Sequence, residues 1–152
     1  MSAGKRKTKA VPSAAKSIQD GAQQRPRRQF NPDHAPDNLV VRFNHVDVGS
    51  DWCLTNITRD DHAKLLERLR SFEQMRADQV FAPGAEEGKT YDVDALPNKD
   101  AVRRLVDLGY EDQDTIARLR ITGKRRLYGF LIGNQFYALW WDPEHLIWPS
   151  KK

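Results

Sequence analysis

The sequence predicts an α+β fold in which a small antiparallel sheet packs on two helices and follows a disordered basic tail. Three observations support this prediction. In residues 116–145, apolar side chains alternate with other side chains at the period of a β-strand. In two earlier segments, apolar residues recur at helical spacing. Residues 1–37 contain almost no large apolar side chains. The sheet should therefore comprise an N-terminal strand and a C-terminal three-stranded meander.

The tail and the remainder of the chain differ in charge. Residues 1–37 carry a net charge of +5, residues 38–115 one of −6 and residues 116–152 one of +5. We expect residues 1–37 to be disordered, because they have little apolar surface to bury, and residues 38–152 to form a single α+β domain. The basic tail either adds salt-dependent, sequence-independent attraction to nucleic acid or is a solubilising extension without a specific role.

The elements before the meander are predicted from composition and capping residues. Residues 39–48 are rich in β-branched and aromatic side chains and should form the first strand. Thr58 should cap a helix that runs to about Ala77. Asn98 should begin a second helix that ends at Leu108. The predicted buried residues of the two helices are Leu65, Leu66, Leu69, Phe72, Val102, Leu105 and Val106. The segment between the helices is expected to be a loop.

The meander should turn at residues 122–124 and at Gly133-Asn134. A two-residue turn matches the twist of the flanking strands and fixes their register, so alternation divides the side chains between two faces. The apolar face should pack on the helices. Its predicted members are Ala117, Leu119, Ile121, Leu127, Gly129, Leu131, Phe136, Ala138 and Trp140.

The opposite face of the meander should be exposed and basic. It is expected to carry Arg118, Arg120, Arg126, Tyr128, Tyr137 and Trp141, with His145 just beyond the last strand. Guanidinium groups bind phosphates and aromatic rings stack on bases, so such a face suits RNA. An ordinary solvated sheet face is also polar, and this alternative remains open.

Other chemistry is poorly represented in the sequence. The four histidines lack metal-ligand spacing, and the single cysteine, Cys53, precludes an internal disulfide. Glycine-rich phosphate loops, nucleophile elbows and dinucleotide fingerprints are absent. We therefore expect neither a metal nor a cofactor. The sequence has no bilayer-length apolar run and no secretory signal, which predicts a cytoplasmic protein without a membrane partner.

Two segments of the meander resemble the C-terminal strands of RelE/ParE-like toxins of toxin–antitoxin systems. They are LRITGKRRLYGF at residues 119–130 and NQFYALWWDPEH at residues 134–145. The order of a strand, helices and three strands is also similar, which extends the resemblance to roughly residues 39–150. The resemblance implies a metal-independent endoribonuclease that acts on RNA, in some members on the ribosome, and that has an antitoxin protein as its partner.

The resemblance also implies roles for individual residues. Arg118, Arg120 and Arg126 would bind phosphate and stabilise the transition state, and Tyr128 or His145 would transfer protons. Further nucleic-acid contacts would come from Lys124, Arg125, Tyr137 and Trp141. Two other functions remain open: a non-catalytic module that binds nucleic acid or an acidic protein, and a ParE-like inhibitor of a protein target.

Overall fold

The computed structural model describes residue 30 and residues 35–150. Apart from residues 30 and 35–37, the tail predicted to be disordered lies outside the described residues. The remaining elements, in chain order, are β1 (Val40–Arg42), α1 (Arg59–Phe72), α2 (Ala77–Val80), β2 (Gly88–Asp92), α3 (Lys99–Asp107), β3 (Thr115–Thr122), β4 (Arg125–Ile132) and β5 (Gln135–Asp142). Short 3₁₀ turns cover Leu54–Asn56 and Val93–Ala95. The α+β class predicted from the sequence is confirmed.

The sheet has five strands in the order β1-β5-β4-β3-β2. It is mixed rather than antiparallel, because β1 runs parallel to β5 while the other neighbours are antiparallel. The first strand was predicted too long, since only three of its residues pair with β5. The loop prediction was wrong for β2, which pairs with β3 over five residues. Its sequence, GKTYD, is too polar to show a strand pattern by itself.

The helices begin at the predicted caps. The Thr58 hydroxyl accepts the Asp61 amide at the start of α1, and the Asn98 side chain accepts two amides at the start of α3. Helix α1 ends at Phe72, before the predicted end. Two predicted buried residues are wrong, because Leu66 and Val106 are 55% and 51% exposed.

The helices lie on opposite faces of the sheet, which creates two apolar cores. Helices α1 and α2 cover one face, where Phe72 and Val80 pack with Leu127 and Phe136. Helix α3 covers the other face, where Leu105 packs with other buried residues, which include Ile116, Tyr128, Phe130 and Trp140. The prediction of a single core and of an exposed second face is therefore wrong. Most of the supposed solvated face lies beneath α3.

A β-bulge in β5 decides which tryptophan faces which helix. Gly129 pairs with Ala138, but Tyr128 pairs with Trp140, which leaves Leu139 as the extra residue. Trp140 consequently lies in the α3 core and Trp141 in the α1 core. Both assignments are the reverse of the prediction from strict alternation.

The two hairpins also differ in detail. The Gly133-Asn134 turn connects the pair Ile132 and Gln135, as predicted. The first hairpin closes on the pair Thr122 and Arg125, so its turn has two residues, and the register shifts at Ile121. Within residues 35–150, no helix is long and apolar enough to cross a membrane.

Candidate active site

A basic cleft opens on the α3 side of the sheet, where β2, β3 and β4 approach the chain that follows β5. Its volume is about 290 Å³. The residues that line it, which define the basic cleft, are Lys89, Tyr91, Arg118, Arg126, His145, Trp148, Pro149 and Ser150. Three of the residues predicted from the sequence, Arg118, Arg126 and His145, therefore meet in one site.

Arg118 and Arg126 come from adjacent strands and are both only 7% exposed. Arg118 donates from Nε to the Tyr91 hydroxyl at 3.3 Å and from Nη1 to the Glu86 carbonyl at 2.9 Å. Arg126 donates from Nη1 to the Gly123 carbonyl at 2.6 Å. Its buried Nε has no hydrogen-bond partner among the described residues. The Arg118 guanidinium is thus fixed by its neighbours. The Arg126 guanidinium keeps one N–H donor that has no partner among the described residues.

Positive charge is concentrated around Arg126. Burial lowers the pKa of Arg126, and repulsion from Arg118 and Arg120 lowers it further. The residues lining the cleft include no carboxylate. An anion bound in the cleft would relieve both the burial penalty and the repulsion, as charge-assisted hydrogen bonds do at phosphate sites.

Tyr128 lies beneath this group, fully buried. Burial, followed by the negative charge of Asp142, raises the pKa of the Tyr128 phenol well above its usual range. Its hydroxyl has no partner among the residues that the structure describes. The phenol therefore remains protonated at neutral pH, where it can donate or accept a hydrogen bond but cannot act as a base.

His145 is held by a turn that Asp142 organises. The buried Asp142 carboxylate accepts the Leu146 amide at 3.0 Å and the Ile147 amide at 2.8 Å. His145 itself has a φ of 60°, which non-glycine residues rarely adopt. Such strain persists only where surrounding contacts enforce it. Asp142 therefore acts as a positioning residue for the His145 ring.

The His145 ring has the protonation state that a general base needs. Burial lowers the pKa of His145, and the nearby Arg126 charge lowers it further. The imidazole is thus neutral at neutral pH. Its buried Nδ1 has no partner within residues 35–150. A neutral imidazole beside two guanidinium groups can accept a proton while the guanidinium groups stabilise negative charge.

An aromatic pair and a lysine complete the cleft. The Tyr91 and Trp148 rings stack with centroids 4.1 Å apart. Lys89 pairs with Arg118 across the β2–β3 ladder and so points to the same face. Sequence reasoning missed Lys89 and Tyr91 because it missed β2, and it assigned Trp148 no role in the site. The β-branched Thr90 and the aromatic Tyr91 are the only residues of β2 that are typical of a strand.

Other predicted site residues lie elsewhere. Arg120 shares the face of Arg126 but forms an ion pair with Glu86 at 2.8 Å. Lys124 pairs with Glu144, and Arg125 pairs with Asp61 of α1 on the opposite face. Tyr137 lines a different pocket. The placement of Trp141 on the basic face is wrong, because it is buried in the α1 core.

The side chains of the cleft are suited to a phosphate group. They supply guanidinium donors, an ammonium group, a neutral imidazole and a stacked aromatic pair. Within the described part of the chain, no three His, Cys, Asp or Glu side chains lie close enough together to hold a metal ion.

Comparison with known proteins identifies no relative on which a family assignment could rest. A scan against protein-family models and searches of curated proteins and of solved structures found no match to this chain.

Proposed function

We propose that the protein is a toxin-like, metal-independent endoribonuclease that binds an RNA phosphodiester in the basic cleft. The observation that carries this proposal is the meeting of Arg118, Arg126 and a neutral His145 in one concave site. Two buried nitrogen atoms in the cleft, Arg126 Nε and His145 Nδ1, have no partner among the described residues. The phosphate oxygens of an RNA phosphodiester accept a hydrogen bond from the first, and the adjacent ribose 2′-hydroxyl donates to the second.

The proposed reaction is a transesterification. The ribose 2′-hydroxyl gives its proton to His145 and its oxygen bonds to phosphorus, while the bond from phosphorus to the 5′-oxygen breaks. The departing oxygen takes a proton from the His145 imidazolium or from water. The products are a 2′,3′-cyclic phosphate and a 5′-hydroxyl. Arg118 and Arg126 stabilise the additional negative charge of the pentacoordinate transition state.

Partners and location belong to the same proposal. RNA, in the ribosome-bound state or free, is the substrate, and an antitoxin protein would cover the cleft in the resting cell. The cytoplasm is the compartment that such a substrate requires. Support comes from the resemblance of residues 119–130 and 134–145 to toxin strands and from the three-stranded meander that these residues form.

The direct test compares purified wild-type protein with the variant His145→Gln on an end-labelled single-stranded RNA. Wild type should cleave the RNA and leave cyclic phosphate ends. His145→Gln should lose at least 100-fold in rate, as expected when a general base is removed, and retain RNA affinity. His62→Gln is the matched control, because His62 is exposed on α1. Equal cleavage by wild type and His145→Gln would refute the assignment of His145.

A binding module without catalysis is the second candidate. It is favoured by a specific observation: His145 is the only histidine among the residues that line the cleft, no carboxylate lines it, and the proposed reaction already uses His145 as the base. The leaving oxygen therefore has no dedicated acid there. Wild-type protein that binds the RNA but leaves it intact, alone and with ribosomes, would select this candidate. RNA ends in cells that express the protein should then be unchanged.

A further inference from the structure

A second pocket, the aromatic pocket, lies at the other end of the α3 face. It has a volume of about 240 Å³ and is lined by His45, Tyr110, Gln113, Phe130, Ile132 and Tyr137. Tyr110 and Gln113 follow the end of α3, whereas Asn98 at the start of α3 donates to the Leu146 carbonyl near the basic cleft. The two sites are thus at opposite ends of one helix.

The rings of the aromatic pocket meet edge to face. His45 lies 5.5 Å from Tyr137 with an interplanar angle of 65°, and 6.2 Å from Tyr110 with an angle of 80°. Tyr110 and Phe130 are 5.2 Å apart at 67°. Rings that meet edge to face leave ring faces and ring edges free to contact a flat aromatic ligand. The exposed side chain of Ile132 extends this apolar surface at the rim.

Polar groups accompany the rings. The Tyr110 hydroxyl and His45 Nδ1 form a hydrogen bond of 3.3 Å, and Gln113 supplies an amide with donors and an acceptor. These are the groups that read the edge of a nucleobase. A purely apolar ligand could make no hydrogen bond with the Gln113 amide.

A positive charge lies next to the pocket. The Tyr137 hydroxyl donates to Gln135 Oε1 at 2.9 Å, and Arg42 Nε donates to the same oxygen at 2.6 Å. Arg42 also pairs with Tyr137 across the β1–β5 ladder, so it is on the same face of the sheet. The positive charge of the Arg42 guanidinium repels a cationic ligand and attracts a phosphate.

We propose that the aromatic pocket binds a nucleobase whose phosphate lies against Arg42. The ligand class is a nucleoside phosphate, either free or as one residue of single-stranded RNA. Assignment to RNA rests on the proposed function, whereas the binding of the base and phosphate does not. Arg126 and Phe130 are four residues apart on β4, which is about 13 Å at strand spacing. A short stretch of single-stranded RNA spans the two sites.

The test is titration of isotope-labelled wild-type protein with AMP and UMP, followed by amide chemical shifts in NMR. The largest shifts should occur at residues 110–113, 130 and 137. The affinity should fall at least tenfold in Tyr137→Leu. Arg42→Gln, at an exposed position, should weaken AMP binding at least threefold and leave adenosine binding unchanged. Arg126→Met in the basic cleft should leave these shifts in place.

Two further ligands complete the design. A five-nucleotide RNA with 2′-O-methyl riboses, which lacks the attacking hydroxyl, would identify the RNA strand as the source of the base if it binds more than tenfold tighter than AMP. Equal affinities would identify a free nucleotide. Choline tests the cationic alternative. The proposal would be overturned if the shifts were confined to the basic cleft or if neither nucleotide caused shifts. Binding of choline, and not of the nucleotides, in the aromatic pocket would also overturn it. Because these are binding measurements, a failure of RNA cleavage would not imitate any of these outcomes.

Discussion

The environment of Arg126 in the basic cleft disfavours its charge. Arg126 was expected on an exposed face of the meander, but it is 7% exposed. Burial and two neighbouring guanidinium groups lower its pKa, so folding disfavours its charged form. This combination is typical of residues whose charge serves a ligand rather than the fold.

The first prediction concerns the effect of the Arg126 charge on stability. Arg126→Met should raise the free energy of unfolding by about 1 kcal/mol, because it removes a buried, repelled charge at similar volume. Phosphate should raise the melting temperature of wild type and have less effect on the variant, since the bound anion offsets the repulsion only where Arg126 is present. Thermal unfolding with and without phosphate measures both effects.

Arg125→Met is the matched control for Arg126→Met. Arg125 lies on the other face and pairs with the buried Asp61 at 2.7 Å. Its replacement should lower stability by about 1–3 kcal/mol, because the Asp61 carboxylate loses its partner. A destabilised Arg126→Met with an undiminished phosphate effect would show that Arg126 is a structural residue.

The second prediction concerns the protonation of His145. Its pKa should lie below the usual 6.5, because the imidazole is partly buried and close to Arg126. Arg126→Met should raise that pKa toward the usual value, whereas Arg125→Met should not change it. NMR titration of the imidazole signals gives these values directly. A pKa above 6.5 in wild type would remove the argument for a neutral base.

At the scale of an element, the bulge in β5 determines the composition of both cores. The extra residue Leu139 turns Trp140 toward α3 and Trp141 toward α1. Gly129 makes this bulge possible. A Cβ atom at Gly129 would lie 2.1 Å from the Tyr137 carbonyl oxygen, so the two strands can approach only because this side chain is missing.

The third prediction follows from that close approach. Gly129→Ala should destabilise the protein by about 3 kcal/mol or more, because the backbone must move to accept the methyl group. Urea unfolding followed by circular dichroism measures the change. Thr90→Ala, at an exposed position of β2, should remain within about 0.5 kcal/mol of wild type. A neutral Gly129→Ala would mean that the strands separate more easily than the bulge geometry implies.

At the scale of the whole molecule, one buried carboxylate joins three parts of the chain. Asp47 accepts Arg104 Nε at 2.9 Å, Arg104 Nη2 at 2.8 Å and Trp140 Nε1 at 2.8 Å. The segment before α1, helix α3 and strand β5 are thereby connected. Burial alone would raise the pKa of Asp47, but the hydrogen bonds from Arg104, Gly49, Trp140 and Ser50 outweigh it and hold the pKa well below its usual range.

The fourth prediction uses this depressed pKa. A carboxyl group with a folded-state pKa below its unfolded value of about 3.9 stabilises the protein above that pH. Its contribution is lost as the pH falls toward the folded-state value. Asp47→Ala should lower stability at pH 7 by about 2–4 kcal/mol, because it leaves Arg104 and the Trp140 nitrogen without their acceptor.

Urea unfolding at pH 7 and pH 3 tests the Asp47 network. The difference in free energy of unfolding between wild type and Asp47→Ala should be smaller at the lower pH, where part of the stabilisation by the Asp47 carboxylate is already lost. Asp51→Ala, at an exposed position nearby, should show no such difference at either pH. A wild-type advantage that is unchanged at pH 3 would contradict the depressed pKa.

Features that depend on neighbouring residues could be predicted from the sequence alone. Capping by Thr58 and Asn98, the Gly133-Asn134 turn, the meander and the α+β class could be predicted because each depends on local hydrogen bonds and periodicity. The sharing of one face by Arg118, Arg120, Arg126 and Tyr128 follows from the same periodicity. This was sufficient to identify part of the basic cleft.

Contacts between distant segments determine which helix covers each face of the sheet and which side chains meet in the cleft. Helix α3 buries the face that alternation marked as polar, because long-range packing, not strand periodicity, determines exposure. The bulge exchanges Trp140 and Trp141, since one inserted residue changes the phase of every residue beyond it. Lys89 enters the cleft only through pairing of β2 with β3. These outcomes depend on contacts between distant segments, so no local pattern records them.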